Sequence, residues 1–244
     1  MIDKIEGRNP VTEALKSGRD IDKIYVKKGD KKGSIIPIIR MAKEKGITVT
    51  ETDGKKLDEM STTGAHQGVI AQCAMAQYAT VDDILERARQ KGEAPFIVIL
   101  DRIADPRNLG SVIRTANCAG AHGVIISKHE SATLSAVCAK ASAGAVEYTP
   151  VARVTSIAKT IDDLKKQNIW VTGADASGEK DIYDADLKGA VAIVIGSEGE
   201  GISRLVLDKC DFKVKIPMKG DVNSLNASVA AALFIYETVR QNRG

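Results

Sequence analysis

Three segments in the last two-thirds of the chain share one pattern, an apolar strand followed by a loop rich in Gly, Asn, Ser or Pro. They lie at residues 105–116, 194–202 and 216–236, and an amphipathic helix clearly follows the loop in the first and the third. Ligands of open α/β sheets bind beyond the carboxyl ends of the strands, where such loops meet. Three polar loops of this kind predict one site assembled from distant parts of the chain, which favours an enzyme.

The apolar runs around these loops predict a parallel sheet covered by helices. Residues 96–101 begin with consecutive apolar side chains, which is typical of a strand buried on both faces. Further strands are predicted at residues 123–127, 169–173, 191–195 and 212–216. Helices are predicted at residues 109–119, 134–141, 156–167, 203–209 and 224–240. We therefore predict an α/β domain at residues 93–244.

The first part of the chain predicts a separate, small α/β domain over residues 1–76. Its first helix is predicted to be capped by Asn9 and to begin at Pro10. Further helices and strands alternate along this part: helices at 34–45 and 55–60, strands at 22–27, 47–51 and 68–74. The polar stretch at residues 77–92 is predicted to be a linker that runs into a helix.

Composition argues against export, metal binding and catalysis by a histidine-activated nucleophile. No apolar run approaches the ~20 residues needed to span a bilayer, and residues 1–9 are charged without a signal-peptide core. The four cysteines lie among apolar or small neighbours, so we expect buried reduced thiols and a cytoplasmic protein. None of the three histidines lies in the three loops, and no metal-ligand cluster occurs, so no metal is expected.

The excess positive charge lies in the N-terminal third of the chain. Residues 1–77 hold 14 Lys and Arg against 11 Asp and Glu, whereas residues 78–244 hold 21 of each. The basic residues there include Lys23, Lys27, Lys28, Lys31 and Lys32. Such a cluster fits either a solvated lysine face or a surface that docks nucleic acid, and composition leaves both interpretations open.

The first loop predicts a helix that presents two arginines at the end of the sheet. Asn108 is interpreted as the N-cap of this helix, and residues 105–106 as a turn before it. Arg107, Ser111 and Arg114 recur at three- and four-residue spacing opposite an apolar stripe, so they share one face. A capped surface helix with two solvated arginines would show the same pattern.

The second loop, residues 196–201, is rich in glycine. Its order G-x-x-G-x-G is neither the dinucleotide fingerprint nor a Walker loop. The first strand of this domain does not lead into a glycine-rich turn either, which disfavours an ordinary Rossmann-type dehydrogenase or methyltransferase. The glycines alone are explained by a tight turn between strand and helix. Glu198 is not, because a carboxylate held among glycines needs a partner.

The third loop predicts the N-cap of a long helix at Asn223 or Ser224. One apolar stripe follows it, made of Leu225, Val229, Leu233 and Tyr236. Ser224 and Asn226 are also explained by a role at the helix end alone.

In order, the three loops resemble the signature motifs of the SpoU (TrmH-type) RNA ribose 2′-O-methyltransferases, within the trefoil-knotted superfamily. The patterns over residues 93–244 are N-x-G-x-x-x-R-T-A, I-G-S-E-G-x-G and I-P-M-x-G-x-V-x-S-L-N-x-S-V-A. The N-terminal part, with His66, Gln67, Gly68 and Val69, resembles the ribosomal-protein-like substrate-binding domain of 23S rRNA guanosine 2′-O-methyltransferases. The resemblance is closest to that group and extends over nearly the whole chain.

The resemblance implies S-adenosylmethionine as methyl donor, a homodimer and a deep C-terminal trefoil knot. The cofactor-binding residues that it implies are Gly196, Gly201, Ile216, Met218 and Leu225. The catalytic residues that it implies are Asn108, Arg114, Glu198, Ser224 and Asn226. From charge and position, we expect RNA contacts from Lys27, Lys28, Lys31, Lys32 and Arg107.

The expected reaction is methyl transfer to the ribose 2′-hydroxyl of a guanosine in 23S rRNA, either free or in a large-subunit assembly intermediate. The hydroxyl must lose a proton, and the arginine base proposed for the family would be Arg114. A guanidinium is effectively always protonated, so it stays open whether Arg114 takes the proton or stabilises the forming alkoxide. We expect Asn108 and Glu198 to orient Arg114, and Ser224 and Asn226 to position the hydroxyl or the cofactor.

Three alternatives stay open at this point. They are a tRNA guanosine 2′-O-methyltransferase, an rRNA adenosine 2′-O-methyltransferase that confers resistance, and a non-catalytic ribosome-associated RNA-binding protein. The intact motif residues argue against the last of these. The N-terminal domain favours rRNA over tRNA, because the tRNA enzymes of the family usually lack such a domain. The sequence does not name the nucleotide.

Overall fold

The computed structural model describes residues 4–30, 33–73, 76–221 and 223–243. The chain divides into two compact units, residues 1–77 and residues 78–244.

The N-terminal unit contains a four-stranded mixed sheet in the order β1-β4-β2-β3, in which only β2 and β3 are parallel. Its strands are β1 (Lys4–Glu6), β2 (Ile21–Lys27), β3 (Thr48–Thr52) and β4 (Val69–Cys73). Its helices are α1 (Arg8–Lys16), α2 (Ile35–Glu44) and α3 (Gly54–Met60). Helix α1 begins two residues before the predicted start, with Gly7 as its N-cap, so the prediction of Asn9 as cap is wrong. The left-handed φ of 93° at Gly7 explains why a glycine stands there.

The C-terminal unit is built on a seven-stranded sheet in which every neighbouring pair of strands is parallel, as predicted. The strand order is β7-β6-β5-β10-β8-β11-β9. The strands are β5 (Phe96–Leu100), β6 (Gly123–Ser127), β7 (Val151–Val154), β8 (Trp170–Ala174), β9 (Lys180–Asp181), β10 (Val191–Ile195) and β11 (Phe212–Lys215). Strands β1, β7 and β9 were not predicted from the sequence.

Helices surround this sheet. They are α4 (Val81–Lys91), α5 (Pro106–Cys118), α6 (Ala136–Ala141), α7 (Ile157–Lys165), α8 (Arg204–Leu207) and α9 (Ala227–Gln241), with a short 3-10 helix at Ala145–Glu147. We predicted a linker at residues 77–92, and helix α4 within that stretch buries Ile84 and Leu85 in the core of the C-terminal unit.

The central strands β5 and β10 are fully buried, and their carboxyl ends lie side by side. The chain leaves β5 toward β6 on one side, whereas β8 and β11 lie on the other side of β10. This is a point where the strand order reverses, and ligands of open α/β sheets bind at such a point. The loops that follow β5 and β10 are therefore well placed to form a site.

Helix α5 buries Leu109, Val112, Ile113 and Ala116 of the predicted apolar stripe, whereas Ala119, which we also predicted to be buried, is the C-cap and only partly buried. Burial of each large side chain contributes about 1.5–3 kcal/mol, which fixes the helix over the sheet. A Cβ atom on Gly110 would lie 2.5 Å from the Cys138 carbonyl oxygen and 2.7 Å from the Ala141 Cβ. The close approach of α5 to α6 therefore requires glycine.

Helix α9 leaves most of its predicted apolar stripe exposed. Val229, Leu233 and Tyr236 of that stripe are 47%, 39% and 48% exposed. The buried side of α9 is made of Ala227, Ala231, Phe234, Ile235, Glu237 and Thr238. The core therefore receives Phe234 and Ile235 from this helix, while Val229, Leu233 and Tyr236 form a second apolar face that is exposed. Among the described residues, no helix has the length and apolar character to cross a bilayer.

The four cysteines are free thiols, and they differ in exposure. Cys73 and Cys138 are buried, and burial raises the pKa of the Cys210 thiol to about 12. Cys118 is exposed, because it lies on the outer face of the last turn of α5. The prediction that all four are buried is therefore wrong for Cys118.

Candidate active site

Helix α5 begins earlier than predicted, and this frees Asn108 for other contacts. Asp105 is the N-cap, and its Oδ1 accepts a hydrogen bond from the Arg107 amide at 2.8 Å, while Pro106 is the first helical residue. The predictions of Asn108 as cap and of residues 105–106 as a simple turn are therefore wrong. The side chain of Asn108 lies within the first turn of the helix.

Helix α9 begins later than predicted. Its N-cap is Asn226, whose Oδ1 accepts hydrogen bonds from the Ser228 and Val229 amides at 3.0 and 3.4 Å. Asn223 and Ser224 are therefore not the cap. Both are exposed residues of the preceding loop.

Asn108, Glu198 and Asn226 form a closed hydrogen-bonded triangle that joins the three loops. Glu198 Oε1 accepts from Asn108 Nδ2 at 2.7 Å and from Asn226 Nδ2 at 2.5 Å. Asn226 Nδ2 also donates to Asn108 Oδ1 at 3.1 Å. Residues 90 and 28 positions apart in sequence are thus held together by one carboxylate oxygen.

Glu198 links the first turn of α5 to the N-cap of α9, since its carboxylate accepts from the side-chain amides of Asn108 and Asn226. Asn226 performs two tasks at once, since its oxygen caps α9 and its amide binds Glu198. Asn226 therefore has both of the roles considered from the sequence, one at the helix end and one in the site.

The glycine-rich loop after β10 folds back on itself. Ser197 and Gly201 exchange two backbone hydrogen bonds, at 3.1 Å and 2.9 Å, and Gly201 has a left-handed φ of 65°. A Cβ atom on Gly196 would collide with the backbone of Gly201 and Ile202. Only glycine fits at position 196 in this conformation.

A pocket lies against this loop and between it and the loop before α9. It brings together all five predicted cofactor-binding residues: Gly196, Gly201, Ile216, Met218 and Leu225. Glu198 and Ser224 from the predicted catalytic set line it as well. The rest of the lining includes the apolar residues Ile195, Val214 and Phe234 and the carboxylate of Asp175.

Arg107, Ser111 and Arg114 lie on the outward face of α5, and both arginines are exposed. Within the part of the chain that the structure describes, Arg114 has no hydrogen bond or salt bridge. The expectation that Asn108 and Glu198 orient Arg114 is therefore not met by a direct hydrogen bond. The side chain of Arg114 points to solvent and is available to a ligand.

Two residues of this region were missed in the sequence. Asp101 follows β5, is buried, and accepts a hydrogen bond from the Ser203 amide at 2.6 Å, which ties the end of the glycine-rich loop to β5. Asp175 follows β8 and lines the pocket. Each could have been found in the sequence as a carboxylate directly after a strand.

In the N-terminal unit, Lys27 and Lys28 are exposed at the carboxyl end of β2. The Lys28 amide donates to the Thr52 carbonyl at 2.7 Å, so the backbone of this end is held by β3. Two other residues of the predicted RNA-binding set, Lys31 and Lys32, lie outside the described residues.

The loop at residues 61–68 lies beside Asp30 and contains the His66–Gln67–Gly68 motif. Arg8 joins these parts, since its guanidinium binds the Asp30 carboxylate at 2.6 Å and the Gln67 carbonyl at 3.1 Å. Burial acts to raise the pKa of Glu6, but hydrogen bonds from Ser61, Thr63 and the amides of residues 62 and 63 outweigh it and lower this pKa to about 2. The loop is therefore held by a network of charged hydrogen bonds.

His122 and His66 each accept a hydrogen bond from a backbone amide. His122 is buried, its Nδ1 accepts from the Phe96 amide at 3.0 Å, and its Nε2 lies 3.0 Å from Glu93. Burial lowers the pKa of His122, although Glu93 opposes the shift. His66 Nδ1 accepts from the Gly68 amide at 3.0 Å. In the described ranges, no group of three or more His, Cys, Asp or Glu is arranged to hold a metal ion.

Both units match known families. Residues 95–236 match the model of the SpoU rRNA Methylase family. Residues 4–79 match the model described as RNA 2′-O ribose methyltransferase substrate binding.

Relatives and solved structures cover both units. The TrmH family protein YacO of Bacillus subtilis is 49% identical over 239 residues, which is 98% of this chain and 96% of YacO. AviRb from Streptomyces viridochromogenes, a SpoU methyltransferase solved with AdoMet, is 27% identical with a TM-score of 0.62, covering 98% of this chain and 89% of AviRb. The AdoMet-bound rRNA methyltransferase of Sinorhizobium meliloti is 25% identical with a TM-score of 0.59, covering 99% and 88%. The chain therefore belongs to the SpoU (TrmH) family of RNA 2′-O-ribose methyltransferases, enzymes whose cofactor is S-adenosylmethionine.

Proposed function

We propose that this enzyme methylates the ribose 2′-hydroxyl of a guanosine in 23S rRNA, free or within a large-subunit assembly intermediate. The observation that carries the proposal is the Asn108–Glu198–Asn226 triangle at a glycine-walled pocket, in a chain that also has a basic N-terminal unit. A cytoplasmic location follows from this substrate.

The residues of the pocket suit S-adenosylmethionine. Gly196 lets the loop close tightly on Gly201 and Ile202 at the edge of the pocket, and Ile216, Met218 and Leu225 supply apolar walls. When bound, the cofactor supplies a methyl group activated by a sulfonium charge. The Glu198 and Asp175 carboxylates line the same pocket and favour a cationic ligand.

Arg114 binds the ribose-phosphate of the acceptor nucleotide. Its guanidinium is exposed on α5, and the planar fork suits bidentate contact with phosphate oxygens. Because a guanidinium stays protonated at neutral pH, we assign it stabilisation of the forming alkoxide rather than proton removal. Holding the hydroxyl and the methyl donor in near-attack geometry supplies much of the rate acceleration.

The remaining polar residues position these groups. Asn108 and Glu198 fix the relative placement of α5, which carries Arg114, and of the glycine-rich loop. Asn226 ties both to the start of α9, and Ser224 faces the pocket, where it positions the hydroxyl or the cofactor.

Three findings support rRNA as substrate. The family model is that of an rRNA methylase, the S. meliloti structure is an rRNA methyltransferase, and residues 4–79 match a substrate-binding domain. The name of YacO covers both tRNA and rRNA, so a tRNA guanosine substrate is the main competing proposal. Methylation of an rRNA adenosine is the next, and a purely structural RNA-binding role is disfavoured by the intact triangle.

Mapping of 2′-O-methylated positions in rRNA and tRNA from cells with and without the gene tests the proposal. We expect one guanosine of 23S rRNA to lose its methyl group in the deletion strain and to regain it with the wild-type gene. Loss of a tRNA methyl group instead, with rRNA unchanged, would overturn the assignment of rRNA.

We also propose that the enzyme is a homodimer that covers the exposed stripe of α9. Val229, Leu233 and Tyr236 recur at helical spacing and are about half exposed. Leu233→Glu should therefore produce monomers in light scattering, whereas the wild type should be dimeric. The trefoil knot implied by the family stays a prediction.

A further inference from the structure

One arginine connects the end of the central strand β5 to the glycine-rich loop. Arg102 follows the buried Asp101 and has a left-handed φ of 58°. Residues other than glycine adopt this region rarely, because Cβ approaches the backbone, so the surrounding structure must hold it there. Arg102 belongs to none of the three motifs and had no predicted role.

The guanidinium of Arg102 contacts the far limb of the loop. Its two terminal nitrogens donate to the Glu200 carboxylate and, at 3.4 Å, to the Gly201 carbonyl. Its Nε is buried, has no hydrogen-bond partner among the described residues, and lies 3.8 Å from Asp101 Oδ2. The side chain is only 25% exposed, whereas the Glu200 side chain is 75% exposed.

These contacts act on the wall of the pocket. The Gly201 carbonyl that Arg102 binds also accepts from the Ser197 amide at 3.1 Å, and the Gly201 backbone is what a Cβ atom on Gly196 would strike. The end of the loop is fixed separately, by the Ser203 amide on Asp101. Arg102 therefore holds the part of the loop between Glu198 and Ser203, and it does so through contacts separate from those of Glu198 with Asn108 and Asn226.

We propose that Arg102 is a positioning residue, which fixes the loop at residues 196–201 so that the cofactor pocket is preformed and Glu198 reaches Asn108 and Asn226. This inference depends on the pocket being the cofactor site proposed above. A surface ion pair such as Arg102–Glu200 alone would contribute little to the stability of the loop. Arg102 also donates to the Gly201 carbonyl, and its Nε is buried, so it holds the loop more firmly than an exposed ion pair does.

The test is Arg102→Gly in the full-length enzyme. Glycine adopts a φ of 58° without cost, so the substitution removes the side chain and adds no backbone strain. We expect calorimetry to show that S-adenosylmethionine binds at least about tenfold more weakly. The variant loses the hydrogen bonds of a charged guanidinium to the loop, and the loss of such a bond has an effect of about that size. The melting temperature should stay close to that of the wild type.

Two further variants separate the contacts. Arg102→Lys keeps the charge but not the fork, so it should restore binding only in part. Glu200→Gln removes a charge but keeps an acceptor for Arg102, so it should weaken binding less than Arg102→Gly. Arg204→Ala is the matched control, because Arg204 is a fully exposed arginine shortly after the loop.

Each outcome decides the inference. Wild-type cofactor affinity in Arg102→Gly would overturn it. Normal cofactor affinity with weakened RNA binding would also overturn it, and would show that Arg102 contacts RNA. Binding of S-adenosylmethionine by the wild type, measured in the same series, tests the proposed cofactor site separately.

Discussion

The two units of this enzyme use charge in opposite ways. The N-terminal unit carries the whole net positive charge, with Lys27 and Lys28 exposed beside a loop held by the Arg8–Asp30 ion pair. The C-terminal unit has balanced charge, and its site is held by amide–carboxylate hydrogen bonds and by glycines that permit close backbone contact. Affinity for RNA and chemistry on the methyl acceptor should therefore be separable by mutation.

The largest expected effect comes from Arg114, the one exposed charge that we assign to chemistry. Arg114→Ala should lower the methylation rate at least ~100-fold, as the loss of a group that stabilises developing charge does, and leave S-adenosylmethionine affinity unchanged. Arg114→Lys should recover little activity. Single-turnover assays with saturating RNA measure both.

Arg107→Ala is the control on the same helix, since Arg107 is also exposed. It should weaken RNA binding and keep near-normal turnover at saturating RNA. Equal losses in the two alanine variants would mean that the face of α5 contributes only charge, and the contrast between the units would fail.

The second test uses two glycines of one loop. Gly196→Ala places a Cβ against the backbone of Gly201 and Ile202, so cofactor binding should be lost and the free energy of unfolding should fall by about 1–3 kcal/mol. At Gly199 an added Cβ meets no described atom within 4 Å, so Gly199→Ala should bind cofactor like the wild type. Calorimetry and thermal unfolding compare them, and equal behaviour would contradict the tight loop geometry.

Charge reversal in the N-terminal unit should act on RNA alone. Lys27→Glu with Lys28→Glu should weaken RNA binding and flatten its salt dependence, because each lost phosphate contact removes roughly 0.7–0.9 from the log–log slope. Cofactor affinity should not change. Lys43→Glu with Lys45→Glu, also exposed and with the same change in net charge, is the control.

If both double variants flatten the slope equally, net charge rather than a local surface binds RNA. A fragment of residues 78–244 sharpens the comparison further. It should begin at Tyr78 rather than after α4, because Ile84 and Leu85 belong to the core of the C-terminal unit. We expect it to bind cofactor and to lose most RNA affinity.

The smallest effect should be a pH dependence of stability from His122. Above its ordinary pKa of 6.5 the imidazole is neutral in both states. Below 6.5 the unfolded chain binds a proton that the buried His122 resists, so stability falls as pH falls. His122→Gln should make stability depend less on pH, which thermal unfolding measured from about pH 8 to about pH 5 would show. His129→Gln, in an exposed loop, should not, and an unchanged slope in His122→Gln would contradict the assignment.

The sequence predicted the parallel sheet and the three loops well, because long apolar runs and clustered glycines report burial and turns directly. It misplaced both helix starts in the site. Asp105 and Asn108 are each good caps, as are Ser224 and Asn226, and only the packing of α5 and α9 decides between them. Asp, Asn and Ser have nearly equal preferences for the N-cap position, so the local sequence does not distinguish between them.

Three other features of the structure could not be predicted from the sequence, each for its own reason. The exposure of the apolar stripe of α9 was not predicted, because this helix carries apolar residues on both faces and only its packing shows which face is buried. Strands as short as β9, with two residues, exist only through their pairing with β11. The left-handed Arg102 has no local signal, since its conformation is imposed by Asp101 and the loop it binds.

The position of β10 in the sheet sets the order in which the C-terminal unit can be completed during synthesis. Strands β5, β6, β7 and β8 all leave the ribosome before β10, which then pairs with β5 on one side and β8 on the other. Until that insertion, the facing edges of β5 and β8 have unpaired backbone groups, and such edges invite pairing with other chains. The nascent enzyme therefore passes through a stage in which the unpaired edges of β5 and β8 need protection from aggregation, and that stage ends only when β10 has emerged and inserted between them.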